Sequence, residues 1–206
     1  MSKYVIAIGR QFGSGGREVA LGLAKKLGIP FYDKDILDKI AEEQGIPADT
    51  IHAMDETLTG GLRHRIGQSM YAFAVRYGTP VDYSTHSDAV INNDRIFRLK
   101  SKLIRELGEK EPCVIVGRNA DYILKDRPDA LHVYVFADTP YRAERIVRLY
   151  GDSEKTPEQR LAEKDKRRRV NYQHYTGRTW GQAQNYDICL DVGVPGIEQC
   201  TDIVVN

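Results

Sequence analysis

The fold is decided by the stretch from residue 4 to residue 18, which reads YVIAIGRQFGSGGRE. Its opening, Tyr4–Gly9, is β-branched and apolar on both faces, as expected for a parallel-sheet strand that is covered on both sides. The glycines that follow allow the backbone to curl, so that successive N–H groups and the start of the next helix point at an anion. A glycine-rich turn between a buried strand and a helix predicts a phosphate-binding loop, and a tight turn without ligand is the simpler alternative.

Short apolar runs alternate with helical patterns along the rest of the chain. Strands are predicted at residues 29–32, 113–116, 131–137 and 187–192, and helices at residues 17–27, 141–150 and about 197–203. Gly28 is expected to end the first helix, and Asp33 or Asp35 to cap the second. Asp138 and Thr139 are expected to start the helix after the fourth strand. The alternation predicts an α/β fold with three α/β/α layers around a five-stranded parallel sheet.

One domain is expected for residues 1–206, with a helical insert at about 46–110. A charged segment at about 152–180 is expected to form a lid over the binding site. Turn signals at Gly60–Gly61 and Gly78–Asp82 divide the insert, whose longest helix is predicted from about Ser87 to Leu107. The insert contains four aromatic residues, Tyr71, Phe73, Tyr77 and Tyr83. They could line the pocket for a substrate that accepts a phosphoryl group, or they could form a dimer surface, so a homodimer is one of the alternatives.

The composition excludes several classes of protein. With 41% hydrophobic residues and 12 tyrosines, the chain is not expected to be disordered. Its 30 basic and 29 acidic side chains nearly cancel, which removes the general argument for a nucleic-acid or membrane-surface protein. No apolar stretch approaches the roughly 20 residues of a membrane span. Three cysteines without metal or redox spacing favour reduced core thiols and a cytoplasmic protein.

The glycine loop departs from the Walker A pattern G-x-x-x-x-G-K-[ST]. If Gly15 is the second motif glycine, Gly16 stands at the lysine position and Arg17 at the hydroxyl position, while Arg10 replaces the first glycine. Arg10 and Arg17 are therefore the nearest candidates to supply the positive charge, since arginine can clamp phosphate oxygens in bidentate fashion. Without the motif hydroxyl, Ser14 and Glu18 are the candidate Mg²⁺ ligands, alongside another carboxylate or only water and phosphate.

A dinucleotide-binding site is the main competitor for this loop. The spacing G-x-G-x-x-G is absent, because the third glycine position would be Glu18. Asp33, at the end of the second strand, could still mimic a ribose-binding carboxylate, so an NAD-dependent oxidoreductase remains an alternative.

Three stretches resemble the cytidylate kinase-like family of P-loop proteins. They are IGRQFGSGGREVALGLAKKLGIPFYDKDIL at the N-terminal end, VIVGRNADYILKDRPDA from residue 114, and LHVYVFADTPYRAERIVRLYG from residue 131. The first is similar to the family's opening, with an arginine before the loop and G-S-G-G in place of a lysine motif. The resemblance covers about two-thirds of the chain and leaves the insert between Ile46 and Glu111 unmatched.

The resemblance implies roles for individual residues. The donor phosphates would be held by the loop residues Gly13, Ser14, Gly15, Gly16 and Arg17. Arg118 falls on an arginine that grips the acceptor nucleotide, and Asn119 replaces the adjacent aspartate. Val116 stands where cytidylate kinases carry another acidic residue, so the acidic partners at this strand end are missing from the pattern. Asp33 lies where the acceptor-binding region begins.

The segment from Arg160 to Arg178 has seven basic and two acidic residues. A solvated helix face is one interpretation, and a mobile lid whose arginines close over the transferring phosphoryl group is the other. The resemblance places a lid aspartate at Asp165, which we expect to contact the acceptor, and a catalytic lid arginine at Arg168, with Arg169 and Arg160 as further catalytic candidates. Tyr172, Tyr175 and Trp180 follow these arginines, a pattern that RNA-binding segments share, although the overall charge of +1 makes nucleic acid the weaker hypothesis.

The sequence therefore predicts phosphoryl transfer from Mg-ATP to a nucleoside monophosphate, CMP-like or dCMP-like, or to another small acceptor. The alternative from another class is a nucleotide-binding regulator or sensor that keeps the fold without turnover, since the motif lysine is absent.

Overall fold

The computed structural model describes residues 3–56 and 93–206 and has a five-stranded parallel sheet at its centre. The strands are β1 (Val5–Arg10), β2 (Phe31–Tyr32), β3 (Cys113–Val116), β4 (Ala130–Phe136) and β5 (Ile188–Asp191). They lie side by side in the order β2-β3-β1-β4-β5, and every pair is parallel. The predicted fold class and strand positions are confirmed.

Eight α-helices are present in the described part of the chain. They are α1 (Gly16–Leu27), α2 (Asp35–Gln44), α3 (Ala48–Glu56), α4 (Asn93–Lys110), α5 (Ala120–Ile123), α6 (Thr139–Tyr150), α7 (Pro157–Thr176) and α8 (Gly196–Val205), with a 3₁₀ turn at Ala183–Asn185. None of these helices is long and apolar enough to cross a membrane.

Helices cover both faces of the sheet, and β1 contributes to both resulting cores. Val5 and Ala7 pack into one core, with apolar residues of α2, α3, α4 and α5. Ile6 and Ile8 point to the opposite face and pack with α1 and α8. Alternation of this kind follows from the two-residue period of a strand, and burial of both faces explains why β1 has no polar position before Arg10.

The helix ends agree with the predicted signals in two cases and differ in a third. Gly28, with φ of 66°, ends α1, and the carboxylate of Asp138 accepts the Tyr141 N–H at 2.9 Å as the N-cap of α6. The predicted cap of α2 is wrong, because Lys34 occupies the N-cap and no side chain caps the helix. The Asp33 carboxylate instead pairs with arginines, so it is not free to cap.

Part of the predicted insert lies outside the described residues. The structure shows α3 at the start of the insert and α4 at its end, whereas the predicted turns at Gly60–Gly61 and Gly78–Asp82 and the four aromatic residues lie outside the described ranges. The long helix is observed from Asn93 to Lys110, three residues beyond its predicted end. Its predicted start at Ser87 also lies outside the described residues.

The predicted charged lid contains α7, a 20-residue helix that begins with a capping box. The Thr156 hydroxyl accepts the Gln159 N–H, and the Gln159 side chain accepts the Thr156 N–H in return. Gly177, with φ of 68°, ends the helix. These signals stabilise the helical conformation of the charged segment despite its low apolar content.

Substituting Asp138 tests the start of α6. Asp138→Ala removes the side-chain acceptor for the Tyr141 N–H and is expected to lower the free energy of unfolding by about 1 kcal/mol. Asp138→Asn keeps an equivalent acceptor and should stay within about 0.3 kcal/mol of wild type. Urea denaturation followed by circular dichroism measures both, and equal stability of the two variants would contradict the capping role.

Candidate active site

A cavity of about 770 Å³ opens at the carboxyl ends of β1 and β3. The glycine loop forms one wall, the segment after β3 a second, and α7 a third. Ligands of open parallel sheets bind at this edge, where the connections of neighbouring strands diverge. The fold therefore places the predicted phosphate loop, Arg118 and two of the predicted lid arginines, Arg160 and Arg168, around one cavity.

The loop is compact because its glycines leave no room for side chains. Gly13 and Gly15 have φ of 78° and 85°, in the left-handed region. A Cβ on Gly16 would lie 2.5 Å from the Cβ of Arg10, so only glycine fits at the position of the motif lysine. The start of α1 therefore directs backbone N–H groups, and no lysine, toward the cavity.

Ser14 stabilises the loop from within. Its side chain is fully buried, its hydroxyl donates to the Gln11 carbonyl at 3.0 Å, and it accepts the Gly16 N–H at 3.4 Å. The oxygen is turned into the loop, and Ser14 does not line the cavity. This geometry does not support the predicted role of Ser14 as a metal ligand, and we assign it a structural role.

Asp33 joins the two arginines that were predicted to replace the lysine. Arg17 donates from Nε to Oδ2 of Asp33 at 2.9 Å, and Nη2 of Arg10 lies 3.7 Å from Oδ1. The carboxylate is buried at the end of β2. Arg17 also packs over the Phe31 ring, with 5.4 Å between its guanidinium carbon and the ring centroid. All three side chains line the cavity, so Asp33 positions the charges beside the loop.

Arg10 is a largely buried cation of the site, with 18% of its side chain exposed. Burial lowers its pKa to about 9, and the positive charge of Arg168 adds to this effect, while Asp33 opposes it. The guanidinium lies against Gly117, where any Cβ would fall 1.6 Å from Nη1. The Asp33 carboxylate compensates the charge of Arg10 from a distance of 3.7 Å between Oδ1 and Nη2. A bound anion would stabilise this buried cation further.

Arg118, which is predicted to bind the acceptor, pairs with a carboxylate that the sequence pattern does not reveal. Its Nη1 donates to Oδ2 of Asp55 at 2.5 Å, and Lys100 donates to Oδ1 of the same group at 2.5 Å. Burial raises the pKa of Asp55, but the charges of Lys100 and Arg118 together hold it below the ordinary value. The acidic group that Val116 and Asn119 do not supply at this strand end comes instead from Asp55 in α3 of the insert.

The backbone at the end of β3 is strained. Arg118 and Asn119 have φ of 57° and 58°, although neither is glycine. Left-handed conformations of this kind cost about 1–3 kcal/mol and are concentrated at functional sites. With these backbone conformations, Arg118 and Asn119 both line the cavity. There Nδ2 of Asn119 donates to Oδ1 of Asn171 in α7 at 3.2 Å.

The helix α7 contacts the loop through Arg168 and Asp165. Nη1 of Arg168 donates to the Arg10 carbonyl at 3.0 Å. Asp165 accepts the Phe12 N–H at 2.8 Å and Nη1 of Arg142 at 2.6 Å, and it is buried. Asp165 does not line the cavity, so the geometry gives this predicted acceptor residue the role of a tether between helix and loop.

The other two lid arginines are placed differently. Arg160 lines the cavity and donates to the Gly151 carbonyl at 2.8 Å, whereas Arg169 is exposed and does not line it. Arg168 therefore remains the best-placed lid arginine, with Arg160 at the rim.

The aromatic residues that favoured an RNA-binding hypothesis are largely used in packing. Tyr172 is buried and donates to Asp121 at 2.6 Å, and Tyr175 stacks on Phe97 with centroids 4.2 Å apart. Burial raises the pKa of Asp121 in spite of this hydrogen bond. Only Tyr172 and Trp180 of the three aromatics line the cavity, so these three residues do not form a run of stacking platforms that faces solvent.

Glu18, the other predicted metal ligand, lines the cavity and pairs with Nη2 of Arg145 at 2.6 Å. Within residues 3–56 and 93–206, no group of three or more metal-binding side chains is present. The carboxylates of Glu18 and Asp33 nevertheless fit Mg²⁺, which keeps several waters and binds through one or two carboxylates plus substrate phosphates.

Positive charge dominates the cavity wall. Ten basic side chains of the described residues line it against four carboxylates, in a chain whose net charge is only +1. The carboxylates are Glu18, Asp33, Asp55 and Asp121. The basic residues are Arg10, Arg17, Lys34, Lys100, Arg118, Arg145, Arg160, Lys164, Arg167 and Arg168. Such a concentration of one sign fits a ligand with several negative charges.

Sequence reasoning missed Lys100, Asp55 and Arg145. Only Lys100 left a usable signal, because it occupies the apolar stripe of α4 between Ile96 and Ile104, four residues from each. Asp55 and Arg145 carry no pattern that separates them from ordinary surface charges, and only the tertiary fold brings them to the cavity.

The sequence model of the cytidylate kinase-like family matches residues 5–194, which include the loop, Arg118 and α7. The chain belongs to the cytidylate kinase-like family. No curated protein matches it. An uncharacterized protein from Eubacterium ventriosum, known from its crystal structure, is 28% identical with a TM-score of 0.69, and the match covers 98% of this chain and 96% of that one.

Shikimate kinases share the fold of this family member. The enzyme from Acinetobacter baumannii, in complex with shikimate, has 14% identity and a TM-score of 0.51, covering 99% of this chain and 92% of its own. The enzyme from Bacteroides thetaiotaomicron has 13% identity and a TM-score of 0.51, covering 98% and 95%. The architecture is thus that of P-loop kinases, and the dinucleotide-binding alternative is not supported.

Two glycine substitutions separate the contact with Arg10 from backbone strain. Gly117→Ala and Gly28→Ala both place alanine at positive φ, 68° and 66°, which costs about 1–2 kcal/mol of stability. Only Gly117→Ala also displaces the Arg10 guanidinium, since nothing lies within 4 Å of a Cβ on Gly28. We expect Gly117→Ala alone to weaken nucleotide binding by about tenfold or more, the equivalent of one charge-assisted hydrogen bond. Isothermal titration calorimetry measures the affinities, and equal weakening by both variants would contradict a role for Arg10.

Proposed function

We propose that this family member transfers the terminal phosphoryl group of Mg-ATP to a small acceptor held near Arg118. The observation that carries the proposal is the cavity itself, in which a glycine loop at a helix N-terminus and an excess of arginine and lysine surround one space. Phosphoryl transfer needs mainly positioning and neutralisation of charge on the transferring oxygens, and no covalent intermediate is required.

The donor phosphates would bind at the loop. Backbone N–H groups from Gly13 to Arg17 and the start of α1 form the cradle, and Arg10 and Arg17 replace the motif lysine. Arg168 completes the ring of charge from α7, where its guanidinium packs 5.9 Å from the centre of the Phe12 ring. Magnesium would be held by Glu18 or Asp33 together with phosphate and water oxygens, and it would neutralise charge between the phosphates.

The acceptor we propose is a nucleoside monophosphate of the CMP or dCMP kind. Membership of the cytidylate kinase-like family supports this assignment. So do the amides of Asn119 and Asn171, which line the cavity and provide donors and acceptors of the kind that bind base edges. Trp180, which also lines the cavity, provides an aromatic surface for a base.

A nucleotide-binding regulator without turnover is the second candidate. It is favoured by the loop, where Gly16 stands at the lysine position and Arg10 and Arg17 are both paired with Asp33. Tight ATP binding with no phosphorylated product would establish it over the enzyme.

The test is incubation with Mg-ATP and a panel of nucleoside monophosphates, with products resolved by chromatography. We expect a diphosphate product from CMP or dCMP. Arg168→Met should lower kcat by roughly 10²-fold or more, because it removes a charge that acts on the transferring group. Lys166→Met, on the same helix but exposed and outside the cavity, should stay within about twofold of wild type.

Retained ATP binding without transfer to any member of the panel would contradict the enzyme proposal. Equal activity of Arg168→Met and Lys166→Met would contradict the role of α7 as the charged lid.

A further inference from the structure

Arg142 and Asp165 form a buried ion pair beside the glycine loop. Arg142 is 8% exposed and Asp165 6%, and Nη1 of Arg142 lies 2.6 Å from Oδ2 of Asp165. Neither residue lines the cavity, so neither is placed to touch a bound nucleotide. A buried ion pair is often no more stabilising than packed apolar side chains of similar volume, because both charges lose their hydration. The pair therefore calls for an explanation other than stability.

The backbone of Phe12 supplies that explanation. Its N–H donates to Oδ1 of Asp165 at 2.8 Å, and its carbonyl accepts Nη1 of Arg142 at 3.1 Å. With the bond between the two side chains, three hydrogen bonds join the ion pair to both polar groups of one loop residue. Each of these bonds involves a charged group, and such bonds are stronger than those between neutral groups.

The carbonyl of Phe12 determines where the next N–H points. It shares a peptide unit with the N–H of Gly13, and in a trans peptide the two groups point in opposite directions. Because Arg142 holds the carbonyl, the Gly13 N–H points away from that guanidinium group. Among the described residues this N–H has no hydrogen-bond acceptor. It is thus an oriented and unused donor at the first position of the proposed phosphate cradle.

The two helices that carry the ion pair also fix the rest of this part of the loop. A Cβ on Gly13 would lie 3.0 Å from the Arg142 carbonyl, so the loop backbone packs directly against α6. The Phe12 ring stacks on Tyr150 at the end of α6, with centroids 5.9 Å apart, and Arg168 of α7 packs over the same ring. The conformation of the loop therefore depends on side chains from both helices.

Resting on the proposed function, we propose that Arg142 and Asp165 are positioning residues for the donor nucleotide. They act by holding the Phe12 peptide unit so that Gly13 directs its N–H at a phosphate oxygen. The pair differs in this from the arginines that line the cavity, because it touches no ligand. Its removal weakens nucleotide binding without taking any charge from the cavity wall.

Isothermal titration calorimetry of the full chain with a non-hydrolysable ATP analogue and Mg²⁺ tests the proposal, because it measures the dissociation constant and the stoichiometry separately. The double variant Arg142→Met/Asp165→Leu leaves both polar groups of Phe12 without partners, and apolar replacement of a buried pair often preserves the fold. We expect its dissociation constant to rise about tenfold or more, the equivalent of one charge-assisted hydrogen bond, with unchanged stoichiometry. A purely structural pair would lower the stoichiometry, through a smaller folded fraction, and leave the dissociation constant unchanged.

Lys155→Met/Glu163→Leu is the matched control. This pair also brings charges within 2.5 Å of each other, with Glu163 on α7, but it is more exposed and does not line the cavity. The control should bind the analogue within about twofold of wild type. Asp165→Asn is a second test variant of the same size, whose single amide oxygen cannot replace the two oxygens that bind Phe12 and Arg142 separately. Its dissociation constant should rise at least about threefold.

An unchanged dissociation constant in the double variant, or in Asp165→Asn if the double variant does not fold, overturns the proposal. Equal weakening by the double variant and its matched control overturns it as well. Binding that depends on the pair, in a chain that transfers no phosphoryl group, would contradict the proposed function and leave the positioning role standing. A wild-type chain that does not bind the analogue would contradict both.

Discussion

The burial of Arg10 at the end of β1 is the constraint on which the site depends. The Arg10 side chain fits only because two glycines lack side chains: a Cβ on Gly16 would meet its Cβ and Cγ, and a Cβ on Gly117 would meet its guanidinium group. Its pKa is lowered to about 9 by burial and by Arg168, with Asp33 at the end of β2 as the opposing charge. Four parts of the fold therefore surround this one cation: β1, the glycine loop, and the ends of β2 and β3.

The arrangement divides the cavity into two halves with the same design. In each half one buried carboxylate is shared by two cations, Asp33 by Arg10 and Arg17 and Asp55 by Lys100 and Arg118. Sharing leaves each half with a positive excess, and bound phosphate can supply the missing charge. The carboxylates also fix the guanidinium and ammonium groups before a ligand arrives, which lowers the ordering cost of binding.

The helix α7 connects these halves through contacts at several levels along its length. Arg168 reaches the Arg10 carbonyl, Asp165 ties the helix to Phe12 and Arg142, and Asn171 donates to the Asp55 carbonyl at 3.0 Å. Displacement of α7 would break contacts with the donor half and the acceptor half together. The helix α7 therefore ties the donor half to the acceptor half.

The sequence predicted the parts of this structure that rest on local patterns. The strands, the glycine loop and the ends of α1 and α6 follow from periodicity, glycine and capping residues, and Arg118 and Arg168 were identified through the family resemblance. What could not be predicted depends on distant residues meeting in three dimensions. Asp33 resembled a helix cap until its pairing with Arg17 was visible, and Asp55 and Lys100 meet Arg118 only through the packing of α3 and α4.

We propose that arginines take the place of the missing lysine at the donor phosphates. A crystal structure of the chain with a non-hydrolysable ATP analogue and Mg²⁺ measures this most directly. We expect guanidinium nitrogens of Arg10 or Arg17 within about 3 Å of β- or γ-phosphate oxygens, with the loop N–H groups around them. Phosphates held by the loop backbone alone, with both arginines still paired only to Asp33, would contradict it.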